Sequence, residues 1–193
     1  MSRDSDFQVD LFLFALILIS CAMPACAQDG QSGRGGGMMR DPKFQALMAE
    51  QKSKSGEFQA AEVKDAEEFS KTLAGKGKPE ILEAVRAFKT EKYAKNCEFR
   101  DALYGETRAF AENFQTRGGS GETMKARMLK RLEANYEERK NFFKQKHHEN
   151  MAFLDKLASD DSIQGQALMN KLQEFFRSQK EAAKAYMGKR RGH

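Results

Sequence analysis

Apolar residues recur at helical spacing through most of the chain, and one pattern of them occurs three times. Shifting the sequence by 41 residues and then by a further 43 superposes Phe58, Phe99 and Phe142, then Asp65, Glu106 and Glu149. The same shifts superpose Phe69, Phe110 and Phe153, and finally Leu73, Phe114 and Leu157. The shared pattern is F-x6-[DE]-x3-F-x3-[LF], followed within a few residues by a Gly-rich or Asp/Ser-rich turn. A fixed period of this length marks tandem copies of one supersecondary unit. Eleven residues make almost three turns at about 3.6 residues per turn, so Leu47, Phe58 and Phe69 share one line on a helix. Phe88, Phe99 and Phe110 share another. These lines are expected to be buried seams on helices that are nearly straight or wind slightly right-handed. The third copy departs from the line, because Arg131 stands where Leu47 and Phe88 stand.

Turn chemistry divides the pattern into four helices. Asp41 is placed to cap the first, with Pro42 at the position where a missing N–H costs nothing, and the pattern runs to Leu73 with Gly56 as its weak point. Gly75-Lys76-Gly77-Lys78 is the first turn; Pro79 opens a second helix reaching Thr116, and Arg117-Gly118-Gly119 ends it. Ser120 is the next N-cap, and the third helix runs to Ala158. Asp161 with Gln164 resembles a capping box for a fourth helix to Met187, which Gly188 closes. That helix is a shortened copy, with Leu168, Leu172 and Phe176 matching Met128, Leu132 and Tyr136.

A unit of forty residues is also the size of a pair of short helices, as in tetratricopeptide or HEAT arrays. The second and third copies lack the mid-unit breaker such pairs require; Gly105 lies well past the middle. Long helices joined by short turns become antiparallel neighbours. The expected fold is therefore all-α, an elongated antiparallel up-and-down bundle of about four long helices, the second roughly 55 Å long. It occupies residues 41–187 as a single domain, followed by a basic tail at 188–193.

The N-terminal region has a different composition. Leu11–Met23 is a continuous apolar run of 13 residues, where a membrane-spanning helix needs about 20. Ala25-Cys26-Ala27 follows with the small-x-small pattern of signal-peptidase cleavage, so residues 1–27 read as a signal peptide and the product as exported, periplasmic or held in the cell envelope. The segment before the run is atypical, since Asp4, Asp6 and Asp10 outweigh Arg3. Leu18-Ile19-Ser20-Cys21 offers a second route, a lipoprotein signal over 1–20 with lipid on Cys21. Gln28–Met39 then forms a glycine-rich leader.

Export changes the charge and the cysteine chemistry. The full chain carries +5; loss of Arg3 and three aspartates makes the mature chain +7, which favours anionic partners such as lipid headgroups or acidic proteins. The two signs are interleaved, and only Lys189-Arg190-Arg191 is a pure basic cluster, so nucleic acid is not an expected partner. Cleavage after Ala27 leaves Cys97 as the single cysteine, so stability must come from packing rather than an internal disulfide.

Candidate chemistry is sparse. His147 and Met151 are an i, i+4 pair on one helical face, and imidazole with thioether suits copper or another soft metal. Asp65, Glu106 and Glu149 each stand four residues before a seam phenylalanine, close to the apolar face. Antiparallel packing sends Glu106 to the opposite end from the other two, so these acids are expected to pair with basic residues of neighbouring helices and fix register. No GxSxG, P-loop or HExxH pattern is present, so neither enzymatic activity nor a cofactor is expected.

The export signal, the Gly- and Met-containing leader, the short polar turns and the long charged helices together resemble the Spy/CpxP group of bacterial periplasmic proteins. The group's LTxxQ signature is missing, with Leu73-Ala74-Gly75 and Leu157-Ala158-Ser159 in its place, and no functional residue carries over. The resemblance implies an ATP-independent chaperone or envelope-stress protein, often a homodimer, holding unfolded or other envelope proteins on basic and apolar helix surface. Eleven-residue apolar spacing is shared with exchangeable lipid-binding helices, so an anionic lipid surface is the alternative partner.

Overall fold

The computed structural model describes residues 41–114 and 121–190, and shows four helices and no strand among them. Helix α1 spans Pro42–Lys71, α2 Lys78–Asn113, α3 Gly121–Ala158 and α4 Gly165–Arg190. The signal, lipidation and leader assignments, the Ser120 cap and the Arg117-Gly118-Gly119 stop lie outside the described residues. Cap chemistry starts α1 as the sequence indicates: the Asp41 carboxylate accepts from the N–H groups of Lys43 (2.8 Å) and Phe44 (3.2 Å), with Pro42 in the first turn. In α2 the Glu80 carboxylate reaches back to the Gly77 N–H at 3.0 Å. Gly56 does not break α1, whose helix is continuous through it.

The fourth helix departs from expectation at both ends. It begins at Gly165 rather than after Asp161, because Gln164 donates to the Asp161 carbonyl (3.1 Å) instead of capping it. Asp160 shapes the turn by accepting the Ser162 N–H at 3.1 Å. At the other end Gly188 lies inside the helix, which continues to Arg190. Basic residues suit the negative end of the helix dipole, and that preference outweighs the weak stop supplied by one glycine.

Successive helices run antiparallel, and side-chain pairs record the register. Phe69 meets Phe88, Phe58 meets Phe99 and Phe44 meets Phe110 between α1 and α2. Arg86 pairs with Asp155, Tyr93 with His147 and Tyr104 with Tyr136 between α2 and α3. Phe153 meets Phe175 and Phe142 meets Tyr186 between α3 and α4. The α1–α2 turn takes Gly75 at φ +75°, a left-handed conformation that glycine adopts without a Cβ clash. The two hairpin turns share one end of the bundle, where the Lys78 ammonium donates to the Asp160 carbonyl at 2.6 Å.

That end holds the apolar core. Leu73, Ile81, Leu82, Val85, Leu154, Leu157, Ile163, Leu168, Leu172 and Phe176 belong to one contiguous buried cluster drawn from all four helices and their turns. Farther along the rod the buried apolar residues thin out to Phe44, Leu103, Ala111 and Ala183, outside the cluster. The phenylalanine lines are not the deepest seams. Phe88 is buried, but Leu47, Phe58, Phe69, Phe99 and Phe110 are only half-buried. The buried lines of α1 and α2 keep an eleven-residue period at other positions: Phe44, Ser55 and Ala66; Gln51, Glu62 and Leu73; Ile81, Lys92 and Leu103; Val85, Asn96 and Thr107. Small and polar side chains such as Ser55, Ala66, Gln51 and Asn96 share these lines with larger apolar ones such as Phe44 and Leu103, and most of the phenylalanine rings lie beside them. The third-copy anomaly follows from register. α4 stops at Arg190, and the Phe142–Tyr186 pairing places Arg131, eleven residues earlier on α3, level with a point beyond it; Arg131 is exposed.

Candidate functional site

Two of the three repeated acids bond across the α1–α2 interface, as the spacing implies. Glu106 of α2 accepts from Lys54 of α1 at 2.7 Å and from Gln51 at 3.2 Å. Asp65 of α1 accepts from Lys92 of α2. Glu149 differs: its lysine, Lys146, comes from its own helix at 2.8 Å, and its cross-helix partner is Gln179 of α4 at 3.1 Å. In each case the lysine hydrogen bond is the main influence that holds the carboxyl below its ordinary range. The bond to Glu106, joined by one to Glu50 on its own helix at 2.8 Å, pushes Lys54 up to about 12.

The sequence reading missed the residues inside this seam. Lys92 is 2% exposed and its ammonium lies between Glu62 (2.8 Å) and Asp65. Asn96 donates to Glu62 at 3.3 Å, and buried Gln51 donates to the Leu103 carbonyl at 3.0 Å. Burial of ions and amides is tolerated when each finds partners, which this ladder provides. The signal was present as polar residues at the same eleven-residue interval as apolar ones.

The aromatic side chains form a second arrangement, which begins against the core cluster at Phe69, Phe88, Phe153 and Phe175 and continues beyond it. Rings from adjacent helices stack face to face: Phe58 on Phe99 (centroids 4.2 Å apart), Phe69 on Phe88 (4.1 Å), Phe142 on Tyr186 (3.9 Å) and Phe153 on Phe175 (3.8 Å). Of the described phenylalanines, Phe44, Phe88 and Phe176 are buried and the other nine are half-buried. Cations lie against this surface, with the Arg100 guanidinium 4.2 Å from the Phe143 ring centre.

His147 stacks on Tyr93 of α2 at 4.3 Å and is half-buried. Burial is the main influence that lowers its pKa, with the neighbouring His148 adding to it. The Met151 sulfur is approached instead by the Thr90 hydroxyl at 4.0 Å. Among the described residues no group of three or more His, Cys, Asp or Glu side chains is placed to hold a metal. His147 borders a narrow cleft of about 60 Å³ that it shares with Lys89, Tyr93, Arg100, Lys146 and Asn150. Lys89, Arg100 and Lys146 bring three basic side chains to that lining, of which Lys146 is paired with Glu149 at 2.8 Å. Half-buried Cys97 lies on the same α2 face, its sulfur 3.4 Å from the Arg100 guanidinium.

Among the described residues no helix is long and apolar enough to cross a membrane. Comparison with known proteins returns no matching family model, no matching curated protein and no matching solved structure.

Proposed function

We propose that this chain is a non-enzymatic, exported binding protein that holds segments of other polypeptides in the manner of an ATP-independent chaperone. The observation that carries the reading is the ladder of stacked rings between adjacent helices, which runs from the edge of the core to well beyond it and is mostly half-buried. Nine of the described phenylalanines keep part of their surface in water, and Arg100 and Lys146 stand over two of them, Phe143 and Phe142. A surface of aromatic faces interleaved with cations binds apolar stretches flanked by acidic groups without demanding one shape. The test is light scattering of an unfolded client, without nucleotide, with the protein in several-fold excess. Suppressed scattering is expected, and unchanged scattering removes the reading.

A lipid surface is the second reading, favoured by the polar α1–α2 seam. Polar groups that pair inside the bundle lose little when hydrated, so a hairpin can separate and lay its apolar stripe on a bilayer. Binding to anionic vesicles with loss of the compact state would support it over client holding.

A further inference from the structure

Helix α3 outruns the helix packed on it. The last contact that fixes the level of α4 is the Tyr186 hydroxyl on the Glu138 carboxylate at 3.1 Å, and α4 stops at Arg190. The part of α3 before Glu138, about 25 Å of helix, therefore extends past α4. The line of α3 that α4 covers carries Phe142 and Glu138; one eleven-residue step toward the start of the helix puts Arg131 and Arg127 on that same line. Both arginines are exposed, as is Lys130 beside them. Exposed Ala134 stands between them on the surface, and so small a side chain lets another helix come close.

The charge there is left without a counterpart. From Met124 to Leu132 the chain holds no acid. Among the described residues Arg127, Lys130 and Arg131 enter no ion pair. The carboxylates that α1 and α2 bring to this level are already engaged: Glu106 by Lys54 at 2.7 Å, Glu112 by Arg108 at 2.8 Å and Asp101 by the Tyr136 hydroxyl. The exposed acids Glu133 and Glu137 fall on the flank of Lys130, about 80° or more around the helix from Arg127 and Arg131. We infer that this stretch of α3 docks an acidic helix of another protein, seated in line with α4 and placing its carboxylates on Arg127, Lys130 and Arg131. A second copy of this chain does not supply that helix through α4, which carries six Lys or Arg against two Glu, nor through the same basic stretch of α3. A bilayer is disfavoured as well, because the exposed residues from Ala126 to Ala134 include no large apolar side chain to insert. The surface uses none of the stacked phenylalanines, so the inference does not rest on client holding.

Fluorescence polarisation tests it, with the full-length protein and a labelled peptide of about twenty residues built of Glu-Ala-Ala-Ala repeats, whose acids share one helical face. Saturable binding is expected, lost when glutamine replaces each glutamate of the peptide. The variant Arg127→Ala, Lys130→Ala, Arg131→Ala should weaken binding by about tenfold, and Arg131→Glu alone by several-fold. Lys76→Ala, Lys156→Ala, Lys171→Ala removes equal charge from exposed positions near the two turns and should change binding by less than about twofold. No saturable binding, undiminished binding in the first triple variant, or equal losses in the two triple variants would overturn the proposal. So would vesicles of phosphatidylserine and phosphatidylcholine that bind through Arg127, Lys130 and Arg131 where the peptide does not, since the partner would then be a membrane.

Discussion

The ammonium of Lys92 on α2 is held by the carboxylate of Glu62 on α1 at 2.8 Å, with both side chains at least 96% buried. Asp65 adds a second carboxylate and Asn96 a side-chain donor. Two ions out of water are tolerated because each satisfies the other, so removing one leaves the other stranded.

Lys92→Met is expected to destabilise the bundle by about 3–5 kcal/mol, read from the midpoint of chemical denaturation. The double variant Lys92→Met, Glu62→Leu should recover most of that loss, because neither charge of the pair is then left stranded. A double variant as weak as the single one would show that the pair contributes through shape rather than charge. The outer pair offers a contrast. Lys54 and Glu106 are each about one-third exposed, so Lys54→Ala should cost no more than about 1 kcal/mol.

Core and ladder should respond differently to truncation. Leu172→Ala, at a site with no exposure, is expected to cost about 2–5 kcal/mol. Phe142→Ser removes a half-buried ring stacked on Tyr186, and its cost should be smaller. The same change, combined with Phe99→Ser, should diminish client holding while far-ultraviolet circular dichroism stays unchanged. Full holding activity in that variant would move the binding surface elsewhere.

Acid should weaken the fold in two steps whose signs follow from the native environments. Unfolded His147 takes up a proton near its ordinary 6.5, whereas the folded state resists it, so stability falls as pH drops below that value toward the folded pKa. His147→Gln is expected to flatten this part of the profile. Asp65, Glu106 and Glu149 act lower down: their folded pKa values lie below the ordinary 3.8 and 4.5, so their contribution is present above those values and is lost as pH falls through the folded ones. Thermal melts between about pH 3 and 7 would show both slopes.

The fold class was legible because long helices advertise themselves by period and by turn residues. Asp41 and Pro42 marked the first helix start, and Gly75 the first turn. The eleven-residue interval was also correct as an interval. The phenylalanines misdirected its placement, since hydrophobicity points to the largest rings whereas close helix approach selects for narrow side chains such as Ser55 and Ala66. Register was partly legible: Asp65 and Glu106 found lysines across the interface, but Lys92 and Lys54 sit in a sequence full of lysines and nothing local singles them out. The cleft was illegible for the same reason. Lys89, Arg100, Lys146 and Asn150 converge only when α2 and α3 lie side by side.

The uneven distribution of apolar burial gives the molecule a mechanical polarity. The four rods are clamped by apolar packing where the two turns meet, and held by hydrogen bonds and ring contacts farther out. Thermal opening should begin at the tips, so amide exchange ought to quicken from Val85 toward Asn113 along one continuous helix. A polypeptide held as proposed above would then meet the most yielding packing away from the two turns and the firmest beside them.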